Sequence, residues 1–426
     1  MPQFRPSSNG LAAIPAPPSA RSVYAPGEQR VACKRSCLAA LIMLCLCGHP
    51  FSNTPPQHTS DDSLLHHLEA DIGDGRLDSH PLIEAAFILS GVAQRDSLVF
   101  YMKWYEGILE KVRGFRLDAA DRIGSASTLF SHLHYEHLLH YKEEATTLLH
   151  VVREKRYNCV AGTILFNLVC ADLGWNVEAF ETPTHVYTIL PHYARDIRIE
   201  NTSPMGFNIM ANLRAYSQYL LTYYPQHRAA QIGLDRLYAH ENDNGRRINN
   251  TELLGLLAYN QAYFAMKQED FGRAYRYVLL AQKFNRDSKS NVPFEIDLYY
   301  RWGKTLYEGG SFRQAFTVYA DGFYRYPKIP ELGQNTLAAF FHSMRGYWLE
   351  KNWPESERIV QEVLALEILK GEDETHLQEM LSAWALFLRQ MSNPEALWEC
   401  LLLLEQSGAD MKRWQDLRRS ARPPRR

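Results

Sequence analysis

At 426 residues the chain is long enough for two or three domains, each with its own core. Hydrophobic residues make up 46% and aromatic residues 12%, which excludes a wholly disordered chain. The formal charge of -2 conceals two basic ends, with five Lys/Arg against one acid in residues 1–58 and seven against one in 411–426, around a body of net charge -12. Such a body excludes a nucleic-acid surface, which would have to neutralise phosphates with Lys and Arg.

Residues 1–30 are rich in Pro, Ser, Ala and Gly and are expected to be disordered. Lys34 and Arg35 then precede an apolar run from Cys37 to Cys47, closed by Gly48 and Pro50. A positive flank before an apolar stretch too short to span a bilayer reads as a secretory signal or anchor. The expectation is export to a bacterial cell envelope, with any membrane association confined to this segment, and a cytoplasmic location as the alternative. Cys45 or Cys47 would be the lipidated residue of an anchored form, although neither follows the small side chain such sites need. Of the seven cysteines, Cys33 joins Cys37, Cys45 and Cys47 in this region, and Cys159, Cys170 and Cys400 lie beyond it. They form neither a disulfide framework nor a zinc spacing.

From about Asp61 to Lys155 apolar residues recur at three and four, which predicts helices over "PLIEAAFILSGVA", "SLVFYMKWYEGILEKV" and "YEHLLHYKEEATTLLHVVREK". The last of these leads into a further helix that starts at Cys159 behind the capping residue Asn158 and stops at Gly174. "HVYTILP" and "DIRIEN" alternate and predict two short strands. In the first, His185, Tyr187 and Ile189 face away from Val186, Thr188 and Leu190; in the second, Arg198 and Glu200 oppose Ile197 and Ile199. Helices, a cysteine-led helix and then strands make an α+β arrangement.

Beyond about Asn250 the pattern is helical and repeats. Ala274, Ala315, Ser356 and Ala396 recur at intervals of 41, 41 and 40 residues, as small residues do at the tight crossings of stacked helical hairpins. The second unit, "YYRWGKTLYEGGSFRQAFTVYADGFYRYP", resembles a tetratricopeptide unit, with Gly303, Leu306, Ala315, Tyr319 and Pro327 in register. An ordinary helical bundle is the competing architecture. The basic segment 411–426 reads as a solvated end.

Chemistry concentrates between Tyr157 and Pro204. A thiol becomes a nucleophile where a helix N-terminus or an imidazolium stabilises its thiolate, and Cys159 has such a place. Backbone N–H groups at the same helix start are candidates for an oxyanion. If the two strands pair, Glu200 or Asn201 reaches His185 and leaves its other ring nitrogen for the sulfur. Cys170, on the same helix, is a packing residue. His134, His137 and His140 recur at helical steps of three near Glu136, but read as a partly exposed helix face rather than a metal site. No phosphate loop, GxSxG elbow or HExxH occurs, and no cofactor or metal is expected.

"NCVAGT…LF…LG", "ETPTHVY" and "IENTSP…GF" together resemble the transglutaminase-like superfamily of papain-like fold over about Pro81 to Phe207. The similarity is to a bacterial branch in which a helical segment leads into the cysteine. It implies Cys159 as nucleophile, His185 as base and Glu200 as the orienting acid, where the superfamily usually has Asp; Asn201 beside it is the alternative. The resulting layout is a disordered N-terminus over 1–58 with a signal or anchor at 37–47 and a transglutaminase-like domain over 59–235. Tetratricopeptide-like repeats over 236–410 and a basic tail over 411–426 follow. The expected function is a cysteine-dependent hydrolase or acyltransferase acting on a peptide or amide bond through a thioester. In it the repeats would bind a protein or peptide. The alternative is a catalytically silent scaffold for protein–protein interaction.

Overall fold

The structure is a computed structural model that describes residues 63–423, apart from 116, 119–120, 194, 210–212, 222–235 and 237–242. The apolar run 37–47 and the expected disordered N-terminus lie outside these residues. Among the described residues no helix is long and apolar enough to cross a membrane. The chain is mostly helical with a small sheet, and it divides into two compact units, with the division between Leu298 and Tyr299.

The first unit opens with helices α1 (Ser63–Asp71), α2 (Leu82–Leu89), α3 (Arg95–Arg113) and α4 (Arg122–Glu136). The long helix expected through "YEHLLHYKEEATTLLHVVREK" does not form in one piece. It breaks after Glu136 into a short strand β1 (His140–Tyr141), then α5 (Leu148–Glu154) and β2 (Arg156–Tyr157). The cause is local competition: Thr147 and His150 form a reciprocal capping box that starts a new helix. Lys155, in the left-handed region at φ 53°, ends it, and β2 then pairs in parallel with β1.

Helix α6 (Cys159–Asp172) is buried on all sides from Cys159 to Cys170, as a helix apolar all round must be. Asn158 Oδ1 accepts from the amides of Val160 (3.0 Å) and Ala161 (3.1 Å) at its start. Gly174, at φ 78°, follows its end. A four-stranded antiparallel sheet lies beside it, built from β3 (Glu178–Glu181), β4 (Val186–Leu190), β5 (Ile197–Ile199) and β6 (Arg246–Ile248) in the order β5-β4-β3-β6. The expected pair β4–β5 is present, with Thr188 opposite Ile199 and Leu190 opposite Ile197. Every residue of β4 is buried, so its alternation marks two covered faces rather than one wet face.

A helix α7 (Leu213–Leu220) precedes β6. After β6 come α8 (Asn250–Lys267) and α9 (Phe271–Phe284), a helical hairpin. In sequence it belongs with the repeats, yet it lies within the first unit. There α8 packs on α2, α6 and α9, and it is buried without a break from Leu253 to Ala262.

The division falls inside α10 (Asn291–Glu308). The second unit continues with α11 (Phe312–Arg325), α12 (Pro330–Glu350), α13 (Trp353–Ala365), α14 (Glu372–Gln390) and α15 (Pro394–Gln406). At Gly303 any Cβ would stand 2.5 Å from the Tyr319 ring, so glycine permits the tight crossing of α10 on α11. Asp270, Ser311, Asn352 and Asn393 precede α9, α11, α13 and α15, each 41 residues after the last. Ala274, Ala315 and Ser356 are fully buried in the same place after their caps. In the last hairpin that place belongs to Leu397, not Ala396, which explains the interval of 40. Residues 411–420 form a 3-10 turn and a short helix, α16 (Gln415–Ser420), with Leu417 buried. The basic end is therefore partly docked rather than wholly solvated.

Candidate active site

Three elements bring Cys159, His185 and Glu200 together. Asn158 caps α6 and sets Cys159 as its first residue. His185 stands at the entry to β4, in a turn fastened by Thr182. The Thr182 amide donates to the His185 carbonyl (2.8 Å), and Thr182 Oγ1 accepts from the His185 amide (2.9 Å). Glu200 follows β5, where its amide donates to the Gly206 carbonyl (3.1 Å). A Cβ at Gly206 would lie 1.9 Å from the Glu200 carbonyl oxygen, so the glycine of "GF" is required by close approach.

His185 Nε2 donates to Glu200 Oε2 at 2.6 Å, and the ring is close enough to the Cys159 side chain for their charges to interact. All three residues are buried, Cys159 to 1% exposure and the other two to 0%. Burial opposes charge on the imidazole, but the Glu200 carboxylate and the Cys159 thiolate outweigh it and raise the His185 pKa to about 10. For Cys159 burial acts to raise the pKa, and the charge of the neighbouring His185 acts against it. Cys170 has no such partner in its environment, and burial pushes its thiol well up.

Glu200 and Asn201 were open alternatives in the sequence, and the structure separates them. Consecutive side chains of an extended segment point apart. Asn201 Nδ2 donates to Thr188 Oγ1 (2.8 Å) and Thr163 Oγ1 (3.2 Å), against α6 and away from the imidazole. Sequence reasoning missed Thr202, whose amide (3.1 Å) and hydroxyl (2.6 Å) both donate to Glu200 Oε1. Tyr157 Oη in turn donates to the Thr202 carbonyl at 3.1 Å. A hydroxyl two residues after a buried acid is the signal that could have found it.

The amides of Val160 and Ala161 are taken by Asn158 Oδ1, and that of Gly162 by the Asn158 carbonyl. The expectation that the first turn of α6 meets an oxyanion therefore narrows to the amide of Cys159 itself. Among the described residues no group of three or more His, Cys, Asp or Glu could hold a metal ion. His134 is buried, its ring tilted against that of Phe130 with centroids 4.3 Å apart, and burial lowers its pKa to about 4. His137, similarly lowered to about 4, lies edge-on to Trp104, and His140 is in β1. No family model matches the chain, and a search of the curated proteins finds no similar sequence.

Proposed function

We propose that the protein is a cysteine-dependent hydrolase or acyltransferase of the transglutaminase-like, papain-like class, acting on a peptide or amide bond. The observation that carries this reading is the placement of buried His185, 2.6 Å from Glu200 and within electrostatic reach of the buried Cys159. The cysteine-led helix followed by antiparallel strands bearing the imidazole and the acid supports the papain-like assignment. In the reaction the Cys159 thiolate attacks the carbonyl carbon, forming a C–S bond and placing the electron pair on oxygen. Collapse breaks the C–N bond, and His185 gives its proton to the leaving amine. Water or a second amine then attacks the thioester, loses a proton to His185 and releases the thiol. The helical hairpins of the second unit would bind a protein or peptide.

Alkylation of Cys159 by iodoacetamide as a function of pH tests the reading. The apparent pKa is expected well below ~8, and His185→Ala should raise it; an ordinary or inert thiol would sink the proposal. A product survey on peptides and amides, with and without added amine, separates hydrolysis from transfer. The second reading, a silent scaffold, is favoured by one observation: Cys159, His185 and Glu200 are closed off from solvent. An alkylation rate that stays negligible for the folded protein at every pH would select it.

A further inference from the structure

The first helical hairpin is fastened to the active-site strands at two points. Glu181, the last residue of β3, is 7% exposed. Its Oε1 accepts from Ser288 Oγ (2.6 Å), and its Oε2 accepts from Asn285 Nδ2 (3.1 Å) and lies 3.2 Å from Arg246 Nε. Arg246 also donates to Glu252 Oε1 (2.8 Å) and to Asn285 Oδ1. A carboxylate this buried is costly unless its oxygens are satisfied. Here Asn285 and Ser288, just past the end of α9, satisfy both oxygens from more than a hundred residues along the chain. The next residue after Glu181 is Thr182, which holds His185 by both its amide and its hydroxyl.

The second fastening runs through the core. Asn250, the first residue of α8, accepts from Asn167 Nδ2 (2.9 Å), and Asn167 Oδ1 accepts from Thr188 Oγ1 (2.5 Å). Thr188 accepts from Asn201, the neighbour of Glu200. One end of the hairpin therefore touches Glu181, next to the Thr182 turn that holds His185, and is linked to the neighbour of Glu200 through Asn167 and Thr188.

We propose that Glu181 is a positioning residue for His185, held by Asn285 and Ser288, so that the first helical hairpin is a working part of the active site. This rests on the reading of Cys159 and His185 as the reacting pair. The carboxylate fixes the end of β3, the end of β3 fixes the Thr182 turn, and the turn aims the ring at the sulfur. Loss of the anchor should misalign the ring and reduce the thiolate fraction without touching either reacting residue.

The test is the pH dependence of iodoacetamide alkylation of Cys159, followed on its own peptide by mass spectrometry, in the full chain. Glu181→Gln and Ser288→Ala should each raise the apparent pKa by about half to one pH unit, slowing alkylation at neutral pH about threefold to tenfold. Ser288→Thr, which keeps the hydroxyl, should restore the native profile. Ser288→Ala carries the test if Glu181→Gln folds poorly, because it removes a single hydroxyl. Native profiles in Ser288→Ala, accompanied by a lower melting temperature, would make Glu181 a structural anchor only and overturn the proposal. His185→Ala is the separating control. If it shifts the profile and Ser288→Ala does not, only the positioning role fails; if it does not, the reacting pair fails and the positioning role with it.

Discussion

His185 Nε2 and Glu200 Oε2 stand 2.6 Å apart with both side chains fully buried, so neither charge can be shielded by water if the other is removed. A buried ion pair of this kind costs more to break than it contributed on forming. Glu200→Ala should therefore destabilise the fold by ~3 kcal/mol or more, read by urea denaturation near neutral pH. Glu200→Gln, which keeps the shape, should slow Cys159 alkylation about tenfold through a less basic imidazole. Equal rates in Gln and native protein would remove Glu200 from the site.

The pH dependence of stability has a definite sign. Glu200 and Cys159 raise the folded pKa of His185 above its ordinary value of 6.5. The stabilisation is therefore complete below about 6.5 and is lost as pH rises through the folded value. With Cys159→Ser as background, the difference in unfolding free energy between His185 and His185→Asn should be flat in acid and shrink steadily in alkali. A difference that grows with pH would contradict the assignment of His185 as an imidazolium.

Removing the helix cap should weaken both fold and thiol. Asn158→Ala deprives Val160 and Ala161 of their common acceptor and should cost ~1 kcal/mol in a denaturant titration. Asn158→Asp keeps the acceptor and should recover the loss. Full stability in the alanine variant would mean that α6 is held by packing alone.

Gly206 tolerates no side chain, since a Cβ there overlaps the Glu200 carbonyl oxygen. Gly206→Ala should cost ~2 kcal/mol or more through forced backbone movement and should slow Cys159 alkylation as Glu200 shifts. A native melting curve would show that the 203–206 turn can give way.

A fragment cut at residue 235 should not fold. It lacks β6, which pairs with β3, and α8, which covers α6, and so exposes one of the most apolar helices of the unit. A fragment ending near residue 298 keeps both and should give a cooperative thermal transition by circular dichroism. Cooperative unfolding of the shorter fragment would contradict the packing described for α8.

Much of the site was legible because its signals are local. Asn158 before Cys159, Gly174 after the helix and two short alternating runs need only neighbours to be read. Glu200 and Asn201 could not be told apart, because they differ in direction, and direction depends on which strand lies alongside. The strands β3 and β6 leave no sequence signal for a related reason. Four and three residues are too few to show a period, and their pairing partners lie far along the chain. The anchors of Glu181 span more than a hundred residues, which no spacing rule reaches. The break at 137–147 is hidden in the sequence because helical periodicity continues through it while the Thr147 cap restarts the helix.

The even placement of Ser311, Asn352 and Asn393 makes the helices of the second unit interchangeable in spacing if not in detail. Excising residues 312–352 would join Ser311 to Trp353 and leave α13 preceded by a residue that already stands at a helix N-cap position. An array of this kind can shorten or lengthen by whole hairpins, so the span of its surface can change while the chemistry around Cys159 stays the same.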